Sequence, residues 1–128
     1  MIWLYNPLKR EMEQATASGW FSNLHELPIG PGEGIAGHVF ATGEAYVSRE
    51  FLTDPLTRKI SALQVPAGWG GTCVPIRSAD KTVGVLFVAV PLPRQMNQPQ
   101  VRLLTTLAEI AGNTIHRMRL HESLEETF

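Results

Sequence analysis

The stretch Thr72-Cys73-Val74-Pro75-Ile76-Arg77-Ser78-Ala79-Asp80-Lys81-Thr82-Val83-Gly84-Val85-Leu86-Phe87-Val88-Ala89-Val90 reads as two apolar strands around a polar turn. The first strand is Thr72 to Ile76, the turn Arg77 to Lys81, and the second strand Thr82 to Val90. β-Branched residues dominate both runs, as a pleated and packed surface requires. The second run is apolar at successive positions, so both of its faces must be covered, which is the pattern of a central strand. Pro75 has no amide donor and must therefore face a sheet edge or a bulge.

Downstream, Pro91 and Pro93 break the sheet pattern, and Asn97 with Gln100 forms an N-terminal capping pair ahead of a helix with Pro99 in its first turn. The helix runs from about residue 98 to 126, with Val101, Leu104, Ala108, Ala111, Ile115 and Met118 on one stripe and Leu103, Leu107 and Ile110 widening it. Beyond Ile115 the apolar pattern thins to Met118, Leu120 and Leu124 among His, Arg and Glu. That end reads as a helix leaving the core and offering a pairing surface to a second copy.

Upstream, residues 1–6 and 11–18 read as a hairpin around Asn6-Pro7-Leu8-Lys9-Arg10, ended by Gly19, with Trp20 and Phe21 packing on the core. Pro28, Gly30, Pro31, Gly32 and Gly34 make residues 28–34 a loop. Residues 34–42 read as a short helix with Gly43 as its cap, and 44–48 as a brief strand. Residues 49–71 spread Phe51, Leu52, Leu56, Ile60, Leu63 and Val65 among prolines and glycines, which suggests a short helix or two within a structured loop. The order β-β-α-β-(mixed)-β-β-α describes one α+β domain over residues 1–128, without repeats or low-complexity segments.

Composition narrows the function classes. The 128 residues are 44% hydrophobic and 18% charged, which supports one packed core. Eleven Lys and Arg against twelve Asp and Glu leave a net charge of −1, without the basic footprint of a nucleic-acid binder. A single cysteine builds neither an internal disulfide nor a thiolate metal cluster, and fits a reducing compartment. The longest uncharged apolar run, Val83 to Pro93, is about half of what a membrane span needs. Met1-Ile2-Trp3-Leu4-Tyr5 lacks the basic opening of a secretory signal. A cytoplasmic protein is expected, with neither nucleic acid nor membrane as partner.

Five segments in order resemble one family: Gly32-Glu33-Gly34-Ile35-Ala36-Gly37-His38-Val39, Thr42-Gly43-Glu44, Val74-Pro75-Ile76, Thr82-Val83-Gly84-Val85-Leu86, and the last helix through Leu107-Ala108 and Ile115. Together they resemble the GAF domains, a fold related to PAS-like domains. The resemblance implies a central antiparallel sheet flanked by helices, with helices on one face and a small-molecule pocket on the other. It also implies a regulatory role beside a kinase, cyclase, phosphodiesterase or transcription-activator domain. Family members usually open with a helix packed beside the last one, whereas this sequence opens on a strand at Met1.

The candidate chemistry is sparse. Gly32-x-Gly34-x-x-Gly37 spells a dinucleotide fingerprint, but no apolar strand precedes it, prolines flank it and Glu33 would repel phosphate; a glycine loop that lets the following helix pack closely is the better reading. Cys73 reads as a small buried strand residue near the pocket floor. The reductases of free methionine sulfoxide that resemble GAF domains rely on several cysteines, which one cannot reproduce, and tetrapyrrole-binding relatives attach through a cysteine in a loop or short helix. His25, His38, His116 and His121 fall at no metal-binding spacing, and none is assigned to haem. Glu44, Glu50 and Asp54 show no partner at fixed spacing, and the polar signature of cyclic-nucleotide-binding relatives is missing.

The resemblance places the pocket cover in residues 51–71. Phe51, Trp69, Thr72, Cys73 and Phe87 are the expected ligand-binding residues, though strand alternation lets at most one of Thr72 and Cys73 point into a cavity. Ile115, Met118, Leu120 and Leu124 are the expected dimer and signalling helix positions. No catalytic residue, metal ligand or cofactor is assigned. The expected function is that of a non-catalytic sensory domain that binds a small molecule, dimerises, or both, and regulates an effector domain. The alternatives are a pure dimerisation module with a vestigial pocket, a chromophore- or haem-binding domain, or a small-metabolite enzyme.

Overall fold

A computed structural model describes residues 1–23, 29–58 and 65–127; side chains are described up to residue 121, residues 22, 23 and 119 excepted. In chain order the elements are β1 (Ile2–Asn6), β2 (Glu11–Thr16), a 3-10 turn (Gly19–Asn23), α1 (Gly34–Thr42), β3 (Tyr46–Ser48), β4 (Trp69–Ser78), β5 (Lys81–Pro91) and α2 (Gln98–Thr127). The five strands form one antiparallel sheet in the order β2-β1-β5-β4-β3.

β5 is the middle strand, and its two apolar faces each find a core. Val85 and Phe87 join Trp3, Met12, Ile35, Val39 and Cys73 on one side. Val83 and Leu86 pack with Val74, Ile76 and Ala108 on the other. The hairpin is tighter than the sequence suggests: pairing continues through Arg77↔Thr82 to Ser78↔Lys81. Only Ala79 and Asp80 turn, with Ala79 in the left-handed region at φ 54°. The polar side chains at 77, 78, 81 and 82 suit a strand end at the sheet margin as well as they suit a turn.

Pro75 pairs with Val85. Phe87 N–H points to Met1 O at 2.8 Å, so Val85, two residues earlier, also directs its amide towards β1. The Pro75–Val85 pair therefore exchanges no hydrogen bonds. The imide nitrogen of Pro75 faces the other margin of β4, beyond Tyr46↔Cys73, the last pair made with β3. That is the edge position expected of it.

α2 opens with the reciprocal cap: Asn97 N–H donates to Gln100 Oε1 and Gln100 N–H to Asn97 Oδ1, both at 2.9 Å. The helix lies on the sheet face of Val74 and Ile76 through Val101, Leu104, Ala108, Ala111 and Ile115. Leu103, Leu107 and Ile110 do not widen this buried stripe as expected; they are 60%, 48% and 57% exposed. Their Cβ directions turn away from the sheet, and no other described element lies over them. α1 packs on the opposite face through Ile35, Ala36 and Val39, so the helices occupy both faces of the sheet rather than one. Gly43 closes α1 with its N–H on Val39 O at 2.8 Å.

Between β3 and β4 the described residues form turns and no helix; residues 59–64, where Ile60 and Leu63 fall, lie outside the described chain. No described helix is long and apolar enough to cross a membrane.

Candidate ligand cavity

The α1 face of the sheet is rich in large rings because β1, the segment after β3 and the middle of β5 each send one there and the 3-10 turn sends two. Trp20 and Phe21 have ring centroids 4.3 Å apart. Phe51 lies 6.3 Å from Trp20 and 6.0 Å from Phe87, and Phe21 lies 6.2 Å from Phe87. Phe51 is fixed from below, since its N–H donates to Trp69 O at 2.8 Å.

The rings do not fill the space they surround. A cavity of about 60 Å³ remains, walled by Trp3, Trp20, Phe21, Phe51 and Phe87, with Met1, Ile29 and Val65. Gly34, Ile35 and Ala36 from the first turn of α1 close one end, with Thr57 and Arg58 beside them. Such a space holds roughly four water-sized groups. Its character is apolar, with few polar groups, which is the usual composition of a small-molecule site.

The polar groups are specific. Trp3 is 1% exposed, and its indole Nε1–H, like that of Trp20, is buried without an acceptor among the described residues. The amides of Gly34, Ile35 and Ala36 precede the first bond of α1, from Gly37 N–H to Glu33 O, so they have no acceptor within the helix. Arg58 is the only charged side chain among the described lining residues.

The segment carrying Phe51 and Arg58 is pinned by Asp54. Its carboxylate accepts Tyr46 Oη–H at 2.9 and 3.0 Å, Ser48 Oγ–H at 2.8 Å and Leu56 N–H at 2.9 Å. The Tyr46 phenol is pushed up from its ordinary value, by desolvation first and then by Asp54. The sequence offered no fixed spacing that would pair these groups.

Of the expected pocket residues, Phe51 and Phe87 line the cavity. Trp69 lines a neighbouring open groove with Trp20 and Ala89, its ring 6.1 Å from Trp20. Thr72 does not reach the cavity: it shares the strand face of Val74 and Ile76, and its Oγ1–H donates to Tyr46 O at 3.0 Å. Cys73 is on the cavity face but wholly buried in the core beneath it, outside the lining. Trp3, Trp20, the first turn of α1 and Arg58 were not expected there. The signal for Trp20 was its place beside Phe21 after a glycine; Trp3 carried none beyond its size.

The glycine loop packs as anticipated. A Cβ at Gly37 would fall 2.6 Å from Gly30 O, so α1 rests on the loop backbone where a nucleotide phosphate would have to sit. His25 lies outside the described residues. His38 stacks edge-on with Tyr46 at 5.7 Å, while His116 and His121 are exposed on α2. Among the described residues no group of three His, Cys, Asp or Glu side chains could hold a metal ion.

The family model for the GAF domain matches residues 1–116. This chain belongs to the GAF family. Solved structures with the same fold include the GAF domain/HD domain protein from Geobacter sulfurreducens, at TM-score 0.79 and 13% identity over 93% of this chain and 80% of that one. The GAF domain of a phosphoenolpyruvate-protein phosphotransferase from Coxiella burnetii superposes at TM-score 0.75 and 16% identity, covering 95% and 73% of the two chains. A free methionine-R-sulfoxide reductase from Neisseria meningitidis, solved with its substrate, gives TM-score 0.72 and 22% identity over 92% and 68%. No curated protein matches the chain by sequence. The cavity of this domain lies between the sheet and the connecting segments, on the face opposite the long helix.

Proposed function

We propose that this GAF domain is a cytoplasmic sensory module that binds a small molecule in the aromatic cavity and regulates a neighbouring effector domain. The observation that carries the reading is the unfilled space itself. Four of the aromatic walls, Trp20, Phe21, Phe51 and Phe87, are linked by ring contacts of 4.3 to 6.4 Å, yet a partly open space of about 60 Å³ remains between them and Trp3. Phe51 and Arg58 come from the segment between β3 and β4, so an occupant would bear directly on how that segment packs. For switching, the occupant must favour one packing arrangement over another.

Dimerisation is the second half of the proposal. Leu103, Leu107, Ile110 and Met118 fall within about 80° of the α2 circumference at 3.6 residues per turn, and all are exposed. Leu120 is exposed as well, whereas Ile115 packs against the sheet core; the side chain of Leu124 lies outside the described residues. A second copy of α2 laid along this stripe would bury it, and would join the signalling ends of two chains.

The non-catalytic reading is supported by the single thiol. Reduction of a sulfoxide by the protein's own thiols needs an accessible thiolate. Cys73 is fully buried, and burial pushes its thiol well above the ordinary range.

A thermal-shift screen of small metabolites tests the sensory reading, because a ligand that binds only the folded state raises the melting temperature. Ligands that stabilise the natural protein and lose their effect in Ala36→Leu, which fills the cavity, are the expected result. Stabilisation that survives Ala36→Leu would place binding elsewhere and defeat the reading.

A further inference from the structure

We infer that a second copy of this chain covers the β1–β5 part of the sheet as well as α2, so that the two α2 helices form one layer between two sheets. The inference rests on the dimer half of the reading above and adds to it the surface on which each partner helix sits.

Two incompletely covered apolar surfaces adjoin on this side of the domain. α2 packs with Val74 and Ile76 of β4, and Gly112 meets Arg77 on the same strand. On β1 and β5 beside it, Ile2, Leu4, Leu86 and Val88 are only half-buried. The first three belong to the α2 side of the core, and Val88 shares the face of Leu86 by strand alternation. Among the described residues no second helix lies on this face, because α1 packs on the opposite one. On α2 itself the exposed residues reach far round the helix. Ala108 is wholly buried against the sheet. At about 100° per residue, Leu107 stands about 100° from Ala108, Leu103 about 140°, Ile110 about 160° and Arg117 about 180°. Ile110 and Arg117 therefore point away from their own sheet.

A lone partner helix lies along one flank of α2. A stable interface also needs about 800 Å² on each partner, more than four half-exposed side chains of one stripe supply. A second copy offers both surfaces at once: its helix fits beside Leu107 and Met118, and its sheet faces Leu103 and Ile110. The contact is the same in both directions, as a two-fold interface requires. The heights agree as well. α2 starts beyond the end of the sheet where Trp69 pairs with Pro91 and reaches Arg77 at Gly112, so it runs with β4, and with β1, which is likewise antiparallel to β5. With the two-fold axis along the helices, as joined signalling ends require, each partner residue keeps its height. The partner's Leu103 then meets Ile2 and Leu86. Its Ile110, about 10 Å further along the helix, meets Leu4, about 7 Å beyond Ile2. Its Arg117 comes next, leaning back towards the helix amino end, and reaches Glu11, which pairs with Asn6 on the face of Leu4. Neither Glu11 nor Arg117 has an ion-pair partner among the described residues.

The test is a charge exchange read by sedimentation equilibrium at low salt, with circular dichroism to confirm that each variant is folded. Glu11→Arg and Arg117→Glu are each expected to weaken the dimer about tenfold, since the two-fold axis makes every contact twice and turns attraction into repulsion. The double variant Glu11→Arg with Arg117→Glu restores the dimer to within about threefold of the natural protein. Leu4→Lys, which places a charge under the partner's Ile110, gives a monomer. Where Leu4→Lys does not fold, the charge exchange decides alone. A natural dimer that Leu107→Glu dissociates but that neither charge variant weakens overturns the inference and leaves helix pairing standing. Single variants that weaken the dimer without rescue in the double variant also overturn it, because the two charges then do not face each other. A natural protein that is monomeric throughout defeats the dimer reading together with this one.

Discussion

Gly112 of α2 lies against the backbone carbonyl of Arg77 in β4, so near that a Cβ on residue 112 would fall 1.9 Å from that oxygen. The contact draws the long helix onto the sheet between Ala108 and Ile115, which pack on the core at either side. Helix and sheet are therefore joined at the backbone, where side chains cannot yield.

Gly112→Ala is expected to destabilise the domain by about 1–2 kcal/mol. Overpacking against backbone costs roughly 1–3 kcal/mol, partly offset by the better helix propensity of alanine. Urea denaturation would register a lower midpoint with an unchanged slope. A variant more stable than the parent would mean that α2 is not seated this way.

The Asp54 node gives a graded expectation. Asp54→Ala removes the acceptor of Tyr46 Oη–H, of buried Ser48 Oγ–H and of Leu56 N–H, and should cost about 1–3 kcal/mol. Asp54→Asn keeps one oxygen and should cost less. Equal and negligible losses in chemical denaturation would contradict the pinning of the Phe51 segment.

Cys73 should be inert in the folded protein and react with a thiol reagent only at the rate of unfolding. The same burial predicts a pH dependence. The folded thiol titrates above its ordinary value of 9.0, so above that pH the unfolded chain holds fewer protons than the native one and stability falls as pH rises. Below it this contribution is flat. The raised Tyr46 phenol acts in the same direction above its ordinary value of 10.0. Replacing Cys73 by Val should shift the onset of the alkaline loss upward, as read from denaturation midpoints between neutral and alkaline pH.

On the exposed stripe, Leu107→Glu or Ile110→Glu should convert dimer to monomer in sedimentation equilibrium. Each should leave monomer stability within about 0.5 kcal/mol, because neither side chain contributes to the core. A change in unfolding free energy of several times that size would place these residues inside the monomer's packing instead.

What the sequence revealed divides along local and non-local lines. The Asn97–Gln100 cap, the Gly43 terminus, both hairpins and the edge position of Pro75 are each written within a few neighbouring residues, and the structure has them all. The exposure of Leu103, Leu107 and Ile110 was not legible, because apolar residues beside a buried stripe look the same covered or bare. The cavity was half legible. Phe51 and Phe87 were expected, but Trp3 reaches it only because β1 pairs with β5 rather than standing outside with β2. Thr72 and Cys73 were separated by strand alternation, which excluded one of them without saying which. The Asp54 cluster joins residues across a turn with no periodic spacing, and the gathering of Trp3 and Trp20 around one cavity with the first turn of α1 depends on the whole sheet order.

The most direct measurement is native mass spectrometry of the protein as purified, followed by the same sample denatured. The account predicts a dimer carrying a retained small-molecule mass of a few heavy atoms, released on denaturation. A bare monomer, still bare after incubation with a metabolite extract, would contradict both the sensing cavity and the pairing face of α2.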